Sequence, residues 1–117
     1  MNLQETTLFQ IASQRLKWLS DRQRVTSENI ANADVAEYRA KDVESFKSYM
    51  ANSPGVADGR AAEIREVKAT WGEDITGNNV VLEEQILEAS SNAGQYRIAA
   101  NLYKKAHQML ISVATGR

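Results

Sequence analysis

A run of apolar and small side chains in the last third of the chain constrains the fold more than any other feature. Leu82, Ile86, Ala89, Ala93, Tyr96, Ala100, Tyr103, His107, Leu110 and Ala114 follow one another in unbroken alternating steps of four and three. A period of about 3.5 residues marks a helix that packs lengthwise on another helix, so the segment is expected to be one long α-helix with a packing seam. Glu83, Glu84 and Glu88 suit the positive end of its dipole and Lys104, Lys105 and Arg117 the negative end, with Asn78 or Asn79 expected to cap its start.

A seam needs a partner, and the N-terminal segment supplies one. Leu8, Ala12, Leu16, Leu19 and Ile30 recur at helical spacing, Ile11, Trp18 and Val25 form a second file seven apart, and no glycine or proline interrupts them. Asn2 followed by Glu5 reads as a variant capping box, so a helix is expected from Leu3 to about Ala33. Each terminal helix comes to about 30 residues, or roughly 45 Å. The expected fold is mainly all-α: two long terminal helices paired as an antiparallel coiled-coil hairpin, with Ala89, Ala93 and Ala100 letting the axes approach. Residues 1–34 form the first helix, 35–79 the connection and 80–117 the second helix of one structural domain.

The connection is the irregular part. Val43, Phe46 and Met50 predict a short helix within 35–51. Residues 52–79 hold the only proline and four of the six glycines, yet Val67, Ala69 and Trp71 alternate there with Glu66, Lys68 and Thr70, the period of a short strand with one covered face.

The C-terminal helix carries a second apolar file, Leu87, Ile98, Leu102, Ala106, Met109 and Val113. A two-helix hairpin covers one face of each helix, so this surface needs another cover. Either the connection folds back as a third layer or neighbouring subunits supply it; long apolar stripes favour the neighbours, which makes Leu87, Ile98, Leu102, Met109 and Val113 candidate subunit contacts. An alanine-rich seam buries little area per residue, so the isolated chain is expected to be only marginally ordered.

Catalytic chemistry has little to stand on. Lys plus Arg number 14 against 15 acids, giving a net charge of -1, so no basic face is available for nucleic acid; cysteine is absent and His107 is the only histidine, which removes thiolate chemistry and Cys- or His-rich metal sites. His107 lies on the seam, where packing explains it better than catalysis. The three glutamates fit the helix dipole, and Asp58-Gly59 is a turn without a phosphate-binding frame. No catalytic, cofactor or metal site is expected. There is neither a cleavable signal pattern at the N-terminus nor an apolar run of about 18 residues, so no membrane span is expected.

One stretch, ENIANAD at residues 28–34, sets two asparagines around Ile30 and Ala31 in an otherwise ordinary helical pattern. With its surroundings, RQRVTSENIANADVAEY, it resembles the N-terminal motif of the bacterial flagellar axial proteins, the rod and hook family, at Arg22, Gln23, Asn29, Ile30, Ala31, Asn32, Ala33 and Tyr38. The C-terminal stretch is similar to the last helix of the short rod proteins at Gly77, Asn78, Val80, Leu82, Glu84, Gln85, Tyr96, Leu102, Lys105 and Leu110. Tyr96-Arg97-Ile98-Ala99 and the Leu102, Lys104, Lys105 run resemble the proximal rod type. The resemblance implies a structural subunit exported without a cleaved signal by the flagellar type III apparatus and polymerised in the periplasm. Its implied partners are copies of itself, the adaptor protein FliE and other rod proteins, near the inner-membrane ring and export apparatus. The alternative is a cytoplasmic helical adaptor or export chaperone that holds a client helix on the same apolar files. One departure matters: Val35-Ala36-Glu37 stands where the family commonly has Thr-Pro-Gly, so the first helix is expected to run on by a turn or to break less sharply. Ile30 is expected to pack into the helical pair while Asn29 and Asn32 bond backbone groups at the helix end or on a neighbour.

Overall fold

The computed structural model describes residues 3–52, 60–67 and 76–116. Along the chain these form α1 (Leu3–Ala31), β1 (Lys41–Val43), α2 (Phe46–Ala51), β2 (Ile64–Glu66) and α3 (Leu82–Thr115). The two long helices pack against each other antiparallel: Phe9 meets Tyr103, Arg15 meets Gln95 and Asn29 meets Gln85. The result is a rod of 64 × 25 × 17 Å.

The expected hairpin is therefore present, and so is the small mixed element in the connection, but its boundaries differ. The helix anticipated within 35–51 is confined to Phe46–Ala51. Ser45 starts it, its hydroxyl accepting from the Ser48 N–H at 3.1 Å. The residues before it are drawn out into β1, because side-chain amides hold the backbone of Ala40 and Lys41 extended. β1 pairs antiparallel with β2 in the register Lys41↔Glu66, Asp42↔Arg65 and Val43↔Ile64. The strand thus sits just before the alternating stretch that suggested it; the Val67 N–H extends the ladder to Ala40 O, while Ala69 and Trp71 lie outside the described residues.

α1 stops at Ala31 and does not run on. The Asn32 side chain donates back to Glu28 O at 2.7 Å, and a sequence of turns follows in which Val35 N–H bonds Asn32 O and Tyr38 N–H bonds Val35 O. Glu37 takes φ 63°, a left-handed conformation that favours glycine, and its N–H bonds Thr76 O at 2.8 Å. Val35-Ala36-Glu37 thus turns the chain without proline or glycine, Glu37 itself taking the left-handed conformation.

The connection folds back on α1 as a third layer. Trp18, Leu19 and Val25 of α1 are buried with Val43, Tyr49 and Ala62, and Leu16 and Phe46 close the edge. The Trp18 indole N–H donates to Glu44 O at 2.7 Å, which fixes the ring while Phe46 packs at 5.7 Å between centroids. Two buried carboxylates hold the returning chain: Asp21 accepts from Ala62 N–H at 2.9 Å, and Glu44 accepts from Glu63 N–H at 2.6 Å and from Arg60 at 3.1 Å. This layer covers Trp18 and Val25 of the second apolar file of α1, while Ile11 of that file stays exposed. Among the described residues α3 receives no such cover and packs chiefly on α1.

α3 begins without the expected cap. Its N-cap is Val81, with no side-chain hydrogen bond; Glu83 and Glu84 do occupy its first turn, and Gly116, at φ 71°, ends it in a left-handed turn. Asn78 and Asn79 are buried and engaged elsewhere, as described next. The expected Asn2 cap and Arg117 lie outside the described residues.

Candidate assembly site

The asparagines of ENIANAD have distinct duties. Asn29 is 1% exposed and its amide is fully satisfied. Its Nδ2 donates to Lys41 O at 2.7 Å and to Gln85 Oε1 at 2.9 Å, and its Oδ1 accepts from Lys41 N–H at 3.0 Å and Tyr38 Oη at 3.1 Å. Lys41 sits between ladder bonds made by Ala40 and Asp42, so its own N–H and C=O point away from β2. Asn29 meets both as the peptide of a neighbouring strand would. One side chain thus joins α1, β1, α3 and the turn. Burial, with the Glu28 carboxylate adding to it, pushes the Tyr38 phenol above its ordinary pKa.

Asn32 works locally, closing the last turn of α1, and its carbonyl accepts from Asn78 Nδ2 at 2.9 Å. Asn78 also donates to Val35 O at 2.7 Å, and its Oδ1 accepts from Val80 N–H at 2.8 Å. Asn79 receives the Ala40 N–H on Oδ1 and donates to Val67 O at 3.1 Å. These twin amides lock the entry to α3 onto the end of α1. Nothing but their adjacency distinguished them from helix caps in the sequence.

The other motif residues surround this hub. Arg22 pairs with Glu88 at 2.9 Å and Asp42 at 3.3 Å while its guanidinium lies over the Trp18 ring, so it bridges the two long helices and β1. Ile30 is half-buried, as are Ala33 and Tyr38; Ala31 is exposed. Gln23 is turned toward a groove on the far side of the α1–α3 contact and takes no part in the hub.

The seam itself is rotated from its expected place. The buried residues of α3 are Asn92, Ala99 and Ala106, spaced by seven, with Gln85 continuing the line toward Asn29. This line runs one residue ahead of Ile86, Ala93, Ala100 and His107. Its polar members decide the rotation: only this face presents Gln85 to Asn29, Glu88 to Arg22, Asn92 to Thr26 at 3.4 Å and Gln95 to Arg15 at 2.8 Å. The expected seam becomes one flank. Leu82, Ile86 and Tyr96 there are 41%, 53% and 44% exposed, Ala93 is exposed, and Ala89, Ala100, Tyr103 and Leu110 are half-buried. Phe9 keeps contact with Tyr103 at 4.7 Å and His107 at 6.0 Å. The second file becomes the opposite flank, with Leu87 and Ile98 each 71% exposed, Leu102 and Val113 also exposed and Met109 half-buried.

Two flanks of exposed apolar residues thus run along a rod pinned by buried amides, and among the described residues no helix is long and apolar enough to cross a membrane. No family model matches the chain. It is similar to the flagellar basal body rod protein FlgB of Agrobacterium fabrum (strain C58), with 32% identity and 94% of each chain covered. At that identity over nearly the whole length of both chains, this chain belongs to the FlgB family of flagellar basal body rod proteins.

Proposed function

We propose that the chain is a structural subunit of the proximal rod, part of the flagellar drive shaft, and that it polymerises through its terminal helices. The observation that carries this reading is the pair of apolar flanks on α3, which the fold leaves uncovered although the helix is long enough to pack another layer on either side. Copies of the chain and other rod proteins supply those layers, with the adaptor FliE on the proximal side. Export by the flagellar type III apparatus, without a cleaved signal, brings it to the periplasm. The α3 side of its contact with α1, whose buried residues are only Asn92, Ala99 and Ala106 among the described side chains, supports a free subunit that is loosely held and gains order on assembly.

Fractionation tests the proposal. An epitope-tagged chain is expected in detergent-resistant basal bodies, and deletion of its gene is expected to abolish rod formation. Recovery only in the soluble fraction, bound to a client helix, would instead indicate an adaptor or export chaperone and end the rod assignment.

A further inference from the structure

Between α1 and α3, on the flank that carries Ile86, Ala93 and Tyr96, lies a groove of about 410 Å³ whose lining includes Gln23, Ser27, Asn92, Ala93, Tyr96 and Arg24, the last paired with Glu28. Two acceptors belonging to its lining, Gln23 Oε1 and Asn92 Oδ1, are buried without a donor. Asn92 is 1% exposed, so an unpaired carbonyl there is costly and marks a place that a partner's donor completes. The residues flanking the groove repeat with the heptad period.

We propose that two copies of this chain pair antiparallel along this flank of α3, each seating Tyr96 in the groove of the other. Three features set the direction and register. One edge of the seam, residues 85, 92, 99 and 106, is covered by the chain's own α1. Only the other edge, Glu83, Ser90, Arg97 and Lys104, is open, and like edges of a heptad helix face each other in an antiparallel pair. Charge is divided along α3: its acids are Glu83, Glu84 and Glu88, and its bases, Arg97, Lys104 and Lys105, come after them. An antiparallel pair therefore sets Glu83 against the partner's Lys104, where a parallel pair in register sets like against like. In that register large side chains meet small or planar ones: Ala93 faces the partner's Tyr96, Ile86 the partner's Tyr103 and Leu82 the partner's His107. The partner's Tyr96 then enters the groove beside Ala93, where its phenol O–H, a single donor, serves one of the two orphaned acceptors, Asn92 Oδ1.

A two-fold contact closes on itself, whereas a rod requires contacts that repeat in one direction. The pair is thus a form of the free protein that covers an assembly flank and must separate before polymerisation; this last step rests on the rod assignment, the pairing itself does not.

Sedimentation equilibrium of the full chain from micromolar to millimolar concentration tests the pairing. A monomer–dimer equilibrium is expected. Tyr96→Phe and Glu83→Lys should each weaken it about tenfold, because two-fold symmetry counts each loss twice. Glu83→Lys combined with Lys104→Glu should restore it. Circular dichroism checks that these surface changes leave the helices intact. Since the chain lacks cysteine, Ser90→Cys mixed with Arg97→Cys gives a second readout: the antiparallel register predicts the mixed disulfide. A monomer at every concentration, failure of the double charge reversal to rescue, or Ser90→Cys linking mainly to itself would each overturn the pairing. Basal-body recovery of Glu83→Lys separates the two readings, since normal incorporation leaves the rod assignment standing whatever the dimer does.

Discussion

Asn29→Ala is the most informative single perturbation. The change removes four hydrogen bonds of 2.7, 2.9, 3.0 and 3.1 Å. Their ends fare differently. Tyr38 Oη and Gln85 Oε1 belong to half-buried side chains that turn to water, so their loss costs little. The Lys41 N–H and C=O cannot turn, being fixed by the ladder bonds on either side, and an orphaned buried backbone group costs about 1 to 3 kcal/mol. Alanine returns about 0.5 kcal/mol through its helix propensity. The net expected destabilisation is about 3 kcal/mol, which lowers the urea midpoint by roughly 2 M for a slope of about 1.5 kcal/mol/M. Hydrogen exchange at the Lys41 amide should accelerate beyond the global change. A midpoint shift below about 0.3 M would refute the argument, since it would mean that Asn29 does not hold β1 to α1. Asn29→Asp sharpens the test: its carboxylate keeps the acceptor side but sets a charge against Lys41 O and Gln85 Oε1, so its loss of stability should ease as pH falls and the carboxyl regains a proton.

Glu37→Gly should stabilise the chain by about 0.5 to 1 kcal/mol, because the left-handed strain at φ 63° outweighs the extra freedom of glycine in the unfolded state; thermal unfolding checks this, and a lower Tm would refute it. Trp18→Phe keeps the ring packing but leaves Glu44 O without its indole donor, and should cost about 1 to 3 kcal/mol in urea unfolding. Glu44 supplies an acid-sensitive contribution: burial works to raise its pKa, but the Arg60 guanidinium, the Glu63 N–H and the Ser48 hydroxyl outweigh it and hold the carboxyl below its ordinary range. Its folded pKa is depressed, so its stabilisation is full above the ordinary carboxylate range and is lost as pH falls through the folded value; Glu44→Gln should flatten that part of a stability–pH curve. Leu87→Asp and Ile98→Asp, on a flank that α1 does not cover, should change the unfolding free energy of the free chain by less than about 0.5 kcal/mol while sharply reducing recovery in basal bodies. An unchanged yield would remove that flank from the subunit interface.

The long helices were legible because periodicity is a local, repeated signal, and the motif around Asn29 was legible as a resemblance. The rotation of α3 was not. Heptad reading scores apolar residues, so it selected Leu82, Ile86 and Tyr96 and passed over Gln85, Asn92 and Gln95, whose amides find partners only once α1 lies alongside. The start of β2, ahead of the alternating stretch, was not legible for a similar reason. Ile64, Arg65 and Glu66 are all exposed, so no alternation marks them; β2 forms because Glu63 and Val67 bond Glu44 and Ala40, a long-range pairing. Asn78 and Asn79 looked like caps because a cap is what asparagine does before a helix, and their actual partners stand about 40 positions away in the chain.

The distribution of side chains on α3 inverts the usual order of a helical hairpin. Among the described side chains it presents Gln85, Glu88, Asn92 and Gln95 toward α1, together with the buried Ala99 and Ala106 and the Phe9–Tyr103 contact, and toward the outside it presents leucine, isoleucine and tyrosine. Polar pairs contribute little net stability but tolerate no other alignment, because a slip of one turn leaves several buried amides and charges without partners. Apolar contacts contribute most of the stabilisation a helix can gain and tolerate many alignments. A subunit built for incorporation benefits from that division. The Asn29, Arg22 and Arg15 contacts specify the fold of the chain, while the surface with the larger hydrophobic gain stays outside, where the proposed function places neighbours. Moving the apolar side chains inward should therefore separate the two properties: Gln85→Leu combined with Asn92→Leu should loosen the register of α3 against α1, even where the urea midpoint is maintained. Loss of dispersion in the Tyr38 and Arg22 amide resonances, with no fall in helicity, is the expected outcome. Sharp, single resonances in that variant would show that the polar pairs are not what aligns the hairpin.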